Sequence, residues 1–244
     1  MTTTKSLVDI FNDYFDMVPA ITDELKAEVY RLRYQVYCLE TGFEDPSDYP
    51  DGLEFDEFDS HSVHYLIYHR KQGVYMATTR LILPAADNID KLFPIEIHCP
   101  IDNLEALQHV SRPHLAEASR FCVSKDFRRR KNEMNTVMGI NTEAENVFSQ
   151  DERRIFPHIT LALFACLIRM SCENDVRDWY AVMEPALIRV FSTLGMDFIG
   201  IGPLTDYHGK RRPCTIKVSD LLSGVEHKDL NSWHMLTNHG QFVQ

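Results

Sequence analysis

The 244-residue chain has no Cys-x-x-Cys pair, no Gly-x-Ser-x-Gly elbow, no internal repeat and no apolar run long enough to span a bilayer. Its six cysteines, at 38, 99, 122, 166, 172 and 214, form neither a disulfide framework nor a zinc ribbon, and reduced thiols are expected. Without the elbow, Ser119 is not read as a hydrolase nucleophile. The most apolar stretch, Leu161 to Ile168, ends at Arg169. Asp9, Asp13 and Asp16 interrupt the first twenty residues, so no secretory signal and a cytoplasmic location are expected. Gly at 10 and Pro at 11 are too few for collagen-like or low-complexity classes. Basic residues are also scarce: 25 Lys and Arg against 36 acids give a net charge of −11, which does not coat a nucleic-acid backbone. His61 and His64 point to opposite faces of a strand, so no metal site is expected. Gly200-Ile201-Gly202 lacks a following helix signal, which removes a dinucleotide fingerprint.

What remains is globular, with 44% hydrophobic and 25% charged residues. Thr22 caps a helix with Asp23 and Glu24 in its first turn. Leu25, Val29, Leu32 and Val36 then recur at helical spacing until Gly42, giving about five turns. Arg33 and Tyr37 fall at one edge of that stripe, whereas Arg31 faces solvent. Residues 44–59 hold eight acids, no Lys or Arg, and Pro46, Pro50 and Gly52, and read as a loop. Strands are expected at Ser62–His69, Tyr75–Leu83 and Leu115–Val123, the first two joined by a turn at Gln72-Gly73. Residues 84–113 read as irregular, with a helical piece around Asn103–His109. Helices at Ile159–Ser171 and Met183–Leu194, a short strand at Met196–Ile201 and a polar tail complete the pattern. This order predicts one α+β domain with a mixed, mostly antiparallel sheet, its core about 10–215 and a C-terminal extension at 216–244.

Charges stand inside apolar surroundings at three places: Arg33 to Glu44, Glu54 to Asp59, and Glu117 to Phe121. Arg80 adds a fourth, within a strand. An arginine or glutamate in an apolar strand costs several kcal/mol unless paired, on the order of the penalty for a buried charge. Glu117, Arg120, Arg80, Asp56 and Asp59 can satisfy one another. One reading is a structural ion-pair network that fixes the loop to the sheet.

The ordered set also resembles a family. Arg33, Tyr37 and Phe43, then Asp56 and Asp59 before a strand, Arg80 on the next, and Glu117-Ala118-Ser119-Arg120-Phe121 resemble the pattern of the acyl-homoserine-lactone synthases. Leu-Arg-Tyr-Gln-Val-Tyr-Cys at 32–38, Glu-Phe-Asp-Glu-Phe-Asp-Ser-His-Ser at 54–62 and Phe-Arg-Arg-Arg at 127–130 are similar to the acyltransferases of PEP-CTERM/exosortase systems. The resemblance implies a GNAT-like α/β/α sandwich, no tightly bound cofactor, and an acyl thioester donor, acyl-carrier protein with its phosphopantetheine or acyl-coenzyme A. The lactone synthases usually carry Trp where this chain has Phe43, and N-acyl amino acid synthases are relatives with a different amine acceptor.

In ordinary coenzyme A-dependent members, a Gly-rich loop after the Glu-bearing strand cradles the pyrophosphate. Here that place holds Lys125, Arg128, Arg129, Arg130 and Lys131, which suit an acidic carrier-protein surface. The resemblance implies catalytic roles for Glu117, Ser119 and Arg120, with Glu117 the general base on an apolar strand. Arg33, Tyr37, Phe43, Asp56, Asp59, Arg80 and Phe121 would bind substrate: the aspartates the acceptor's ammonium, Arg33 or Arg80 its carboxylate. Strict alternation sends Arg120 to the face opposite Glu117, so either the strand bulges or Arg120 pairs behind the site. The expected activity moves an acyl chain from carrier protein to the amine of a small amino-acid-like acceptor. The rivals are a lactone synthase using S-adenosylmethionine and a silent module that binds carrier protein or lipid.

Overall fold

A computed structural model describes residues 5–127, 158–206 and 209–243. In chain order the elements are α1 (Leu7–Tyr14), β1 (Phe15–Pro19), α2 (Asp23–Tyr34), a π-helical turn (Gln35–Glu40), β2 (Ser62–His69), β3 (Val74–Ile82), α3 (Pro94–His98), β4 (Leu115–Val123), α4 (Ile159–Glu173), β5 (Asp178–Met183), α5 (Pro185–Thr193), β6 (Ile199–Gly200), β7 (Thr205–Asp206), β8 (Lys210–Lys217), α6 (Val218–Lys228) and α7 (Leu230–Thr237). They form two compact units, residues 1–59, 63–80 and 120–166 in the first and 60–62, 81–119 and 167–244 in the second. No helix among the described residues is long and apolar enough to cross a membrane.

The first unit is a sheet in the order β1-β2-β3-β4. Strand β1 lies antiparallel to β2, with Phe15 opposite His69 and Pro19 opposite Tyr65. The helical stripe read from the sequence does its expected work: Val29, Leu32 and Val36 pack with Tyr37, Leu66 of β2 and Cys122 of β4 in one apolar cluster. Helix α2 is shorter than its periodicity predicts. It ends at Tyr34 and continues as the π turn, where the Thr41 N–H donates to Val36 O at 3.1 Å, and Gly42 leaves with φ +65. The sequence reading assigned nothing before Thr22, but α1 and β1 stand there. Ser6 and Asp9 form a capping box, and Phe11 stacks 5.1 Å from Phe15, both buried.

The second unit continues from the first half of β4 in the order β4-β5-β8-β6, with β7 beside β8. Strands β4 and β5 are parallel, Glu117 lying opposite Tyr180, whereas β5 and β8 are antiparallel. The expected mixed, mostly antiparallel sheet is therefore present. Strand β5 was missed by the sequence reading, which started a helix at Met183. Trp179 and Tyr180 are its signal, and Trp179, fully buried, donates its indole N–H to Ser171 Oγ at 2.8 Å. The expected polar tail after Ile201 is instead β8, α6 and α7. Val218, Leu221, Leu222 and Val225 recur at helical spacing and are buried. The strand expected at Met196–Ile201 shortens to Ile199–Gly200, and the helical piece near Asn103–His109 to a 3₁₀ turn at Glu105–Leu107.

Helix α6 crosses the turn after α5 at a glycine pair. A Cβ on Gly224 would lie 2.1 Å from Gly195 O, and one on Gly195, at φ +88, would lie 2.3 Å from Gly224 O. Gly224→Ala should therefore lower the free energy of urea unfolding by about 1–3 kcal/mol, the scale of overpacking against backbone. At Gly200 the added methyl meets the flexible Arg212 side chain at 3.1 Å. Gly200→Ala should cost less. Equal stability of the two variants would show that the backbone contact yields freely.

Candidate active site

Helix α2 turns its two arginines in different directions. Arg31 is exposed and pairs with Glu28, one turn away. Arg33 is fully buried, as its place at the edge of the apolar stripe predicts. Its Nε donates to Glu54 Oε2 and its Nη1 to Asp59 Oδ1 at 2.7 Å. Arg80, on β3, donates through Nη1 to Asp56 Oδ1 at 2.6 Å and Asp59 Oδ1 at 2.9 Å. Arg120, on β4, donates through Nη2 to Glu54 Oε1 at 2.9 Å and Asp56 Oδ2 at 3.2 Å, with Glu44 at 3.8 Å. The loop preorganises its own acids: Asp56 N–H donates to Asp59 Oδ2 at 2.7 Å, and Phe58 N–H to Asp56 Oδ1 at 2.9 Å.

Arg120 reaches this cluster because the strand departs from alternation. Its φ is +49, a left-handed conformation uncommon for a residue other than glycine. The break that the sequence posed as one alternative is present, and it turns the guanidinium toward Glu54 and Asp56. Such a conformation costs on the order of 1–3 kcal/mol and persists where surrounding contacts over-determine it. The Tyr37 ring, held by the π turn, lies 5.4 Å from the Arg120 guanidinium carbon, and Tyr30 stands at the same distance from Arg33.

The electrostatics follow from these contacts. Burial pushes Glu54 up, but Arg33 and Arg120 outweigh it and hold the carboxyl at about 2. Asp59 is likewise driven well below the carboxylate range by Arg33 and Arg80 against the effect of burial. Arg33 and Arg120 stay charged despite burial, raised by their carboxylate partners. His64 stands with Nε2 3.4 Å from Asp59 Oδ1, close enough for an ion pair, yet burial first and Arg33 second lower it to about 3. It is neutral. Burial raises the Tyr37 phenol well above its usual range.

Six of the residues expected to form the site thus come together: Arg33, Tyr37, Asp56, Asp59, Arg80 and Arg120. Phe43 packs at the margin of the apolar cluster, its N–H bonded to Tyr37 O at 2.8 Å. Phe121 lies 5.2 Å from Phe164 of α4. Ser119 and Glu117 stand on the first half of β4. Glu117 is nearly buried, and its Oε2 accepts the Ile95 N–H at 2.8 Å. Lys125 follows β4, its N–H bonded to Glu40 Oε2 at 2.9 Å. Arg128, Arg129, Arg130 and Lys131 lie outside the described residues. Among the described residues, no group of three His, Cys, Asp or Glu side chains is arranged to hold a metal ion. The sequence reading did not select Glu54, which joins two arginines. Its signal was its position at the head of the alternating run Glu54-Phe55-Asp56-Glu57-Phe58-Asp59.

The family model described as Acetyltransferase (GNAT) domain matches residues 32–138, under half of the chain. Among curated protein sequences, none matches. Among the solved structures that share the architecture are the following three. BjaI, a CoA-dependent acyl-homoserine lactone synthase solved with SAM and isopentyl-CoA, is 16% identical, covering 95% of this chain and 90% of its own, with a TM-score of 0.56. FeeM, an N-acyl amino acid synthase from uncultured soil microbes, is 15% identical over 86% and 93%, with a TM-score of 0.52. The AHL synthase LasI is 20% identical over 86% and 95%, with a TM-score of 0.50. The fold is GNAT-like.

Glu54→Gln should lower stability at pH 7 by about 3–5 kcal/mol, because it strands the charges of two arginines. The pH dependence has a sign. A carboxyl depressed from 4.5 to about 2 contributes stability that is fully present above pH 4.5 and lost as pH falls toward 2. Urea unfolding of the Gln variant across that window should show a shallower slope than wild type. Parallel slopes would mean that Glu54 does not carry this linkage.

Proposed function

We propose that this GNAT-fold chain is an N-acyltransferase that moves an acyl group from a thioester donor to the amine of a small amino-acid-like acceptor. The observation that carries the reading is the charge balance of the buried cluster. Three guanidiniums, Arg33, Arg80 and Arg120, meet four carboxylates, Glu44, Glu54, Asp56 and Asp59. His64 is neutral and does not compensate. Among the described residues one negative charge is left over. Arg33, Glu54, Asp59 and Arg80 are closed to solvent, whereas the side chains of Arg120, Glu44 and Asp56 are 20%, 23% and 24% exposed. The excess charge therefore lies where the acceptor's ammonium can meet it. Asp56 and Glu44 suit its ammonium and Arg120 its carboxylate. Arg33, Arg80 and Asp59 hold those groups in place.

The chemistry has three requirements. The acceptor's ammonium must lose a proton, its nitrogen must attack the thioester carbonyl, and the C–S bond must break to release a thiol. Glu117 takes the proton, directly or through one water, and Ser119 and backbone N–H groups of β4 supply donors for the oxyanion. Tyr37, Phe43 and Phe121 offer apolar and aromatic surface to the substrates. The basic run from Lys125 through Arg128, Arg129, Arg130 and Lys131 favours acyl-carrier protein over coenzyme A as donor. Such a carrier would place the reaction in the cytoplasm.

Two acceptors compete. The similarity to lactone synthases favours S-adenosylmethionine, more strongly than FeeM favours an amino acid. Turnover with acyl-carrier protein and S-adenosylmethionine should release methylthioadenosine if the first is right, whereas an N-acyl amino acid without that release marks the second. No thiol release with either acceptor or donor would leave only the silent binding module.

Two further outcomes are expected. With carrier protein as donor, kcat/KM should fall steeply with salt, since steering is screened over about 8–10 Å; equal, salt-independent use of acyl-coenzyme A would remove the carrier. Glu117→Gln keeps the shape but not the proton acceptor, so kcat should drop by about 10²–10⁴ and recover in part at high pH, where free amine accumulates. Single-turnover transfer against pH measures this. A variant within about threefold of wild type would show that another group takes the proton.

A further inference from the structure

The segment from Ile89 to His98 is irregular apart from α3, which has five residues and is too short to hold itself. Its geometry depends on clamps from outside. Arg112, in the 3₁₀ turn just before β4, supplies most of them. Its Nε donates to Ile89 O at 3.1 Å, its Nη2 to Lys91 O, and its Nη1 to Glu96 Oε1 at 2.6 Å. The same guanidinium lies 4.3 Å from the centre of the Phe93 ring. Glu96 turns its other oxygen to the Phe93 N–H at 2.8 Å, closing the start of α3. One residue into that helix, the Ile95 N–H donates to Glu117 Oε2 at 2.8 Å. Phe93, Ile95 and Glu117 are all buried.

We propose that Arg112 is a positioning residue for Glu117, acting through the Ile89–His98 segment and the Ile95 N–H. The proposal rests on the reading of Glu117 as general base. Strand β4 fixes the backbone of Glu117, and the Ile95 N–H fixes the direction of one carboxylate oxygen. That direction depends on where the segment sits. Arg112 holds the segment at three backbone or side-chain acceptors and against one ring, so its planar fork sets that position in a way a flexible ammonium does not. A displacement of about 1 Å at a catalytic group is worth roughly 10² in rate. Arg112 need touch neither donor nor acceptor to matter.

The test is a double-mutant cycle in the acyl-transfer assay, with amide exchange at Ile95 read alongside. Arg112→Ala should lower kcat about 10- to 100-fold, leave the donor KM within about twofold, and speed exchange of the Ile95 amide. Arg112→Lys, which keeps a charged donor for Glu96, should recover part of kcat. In the Glu117→Gln background the same Arg112→Ala change should cost less than about threefold, because there is no base left to misplace. Equal losses in both backgrounds, or unchanged kcat in Arg112→Ala, would overturn the proposal while leaving the base reading intact. Glu117→Gln at wild-type rate would instead overturn the base reading, and the positioning role with it. If Arg112→Ala does not fold, Arg112→Lys and Glu96→Gln enter the same cycle with the same criteria.

Discussion

The Arg33 guanidinium carries a full positive charge where no water reaches it. Moving such an ion out of water costs several kcal/mol even after relaxation, and only well-placed carboxylates offset that cost. Glu54 and Asp59 provide them. Their remaining oxygens, buried in turn, need donors of their own. Arg120 of β4 supplies one to Glu54 Oε1 and the Asp56 N–H one to Asp59 Oδ2, while Arg80 of β3 shares Asp59 Oδ1 with Arg33 and reaches Asp56. Of the eight acids of residues 44–59, Asp45, Asp48, Asp51 and Glu57 are solvated, but Glu44, Glu54, Asp56 and Asp59 are turned inward. Several are the inner wall of a network whose cations come from α2, β3 and β4.

The backbone is irregular on both sides of the Arg120 guanidinium. The π turn presents the Tyr37 ring beside it, and a left-handed residue in the middle of β4 aims the guanidinium itself. Neither feature is the lowest-energy choice for its element. A regular helix would carry Tyr37 round by about 100° per residue, and a regular strand would send Arg120 to the other face. Local rules give way where charge pairing over-determines the geometry. The π turn has a second anchor. Gln35 Nε2 donates to Glu40 Oε1 at 2.8 Å and to Ser124 Oγ at 3.0 Å, while Glu40 takes the Lys125 N–H, so the turn also fixes the chain as it leaves β4.

Much of this was legible in the residues. The boundaries of β2 and β4 were read correctly: β2 is a run rich in aromatic and β-branched residues, and β4 is bracketed by the apolar pairs Leu115-Ala116 and Cys122-Val123. The different fates of Arg31 and Arg33 followed from helical geometry alone. The elements that were missed share a cause. Helix α1 is short and signalled mainly by its cap, β5 is six residues against a neighbouring helix pattern, and α6 and α7 lie in a stretch of polar character. Short elements gain their stability from packing partners far away in sequence, which a local window does not contain. Glu54 escaped for a related reason. An acid among seven others in a loop reads as hydrated until the arginines that face it are placed.

The cluster's charge pattern also separates a sealed layer from the one proposed to bind. Asp59 and Glu54 are pinned in the charged form far below neutral pH, and Arg33 and Arg80 are sealed behind them. Those four form a neutral unit that a ligand cannot enter without breaking buried pairs at several kcal/mol each. Asp56, Glu44 and Arg120 are different: each keeps part of its side chain in solvent, and the net negative charge among the described residues lies with them. A ligand that supplies one positive charge and one carboxylate exchanges water for fixed, preoriented partners there. A structural ion-pair network and the proposed binding surface are therefore two layers of one cluster, and the layer a residue falls in follows from its exposure.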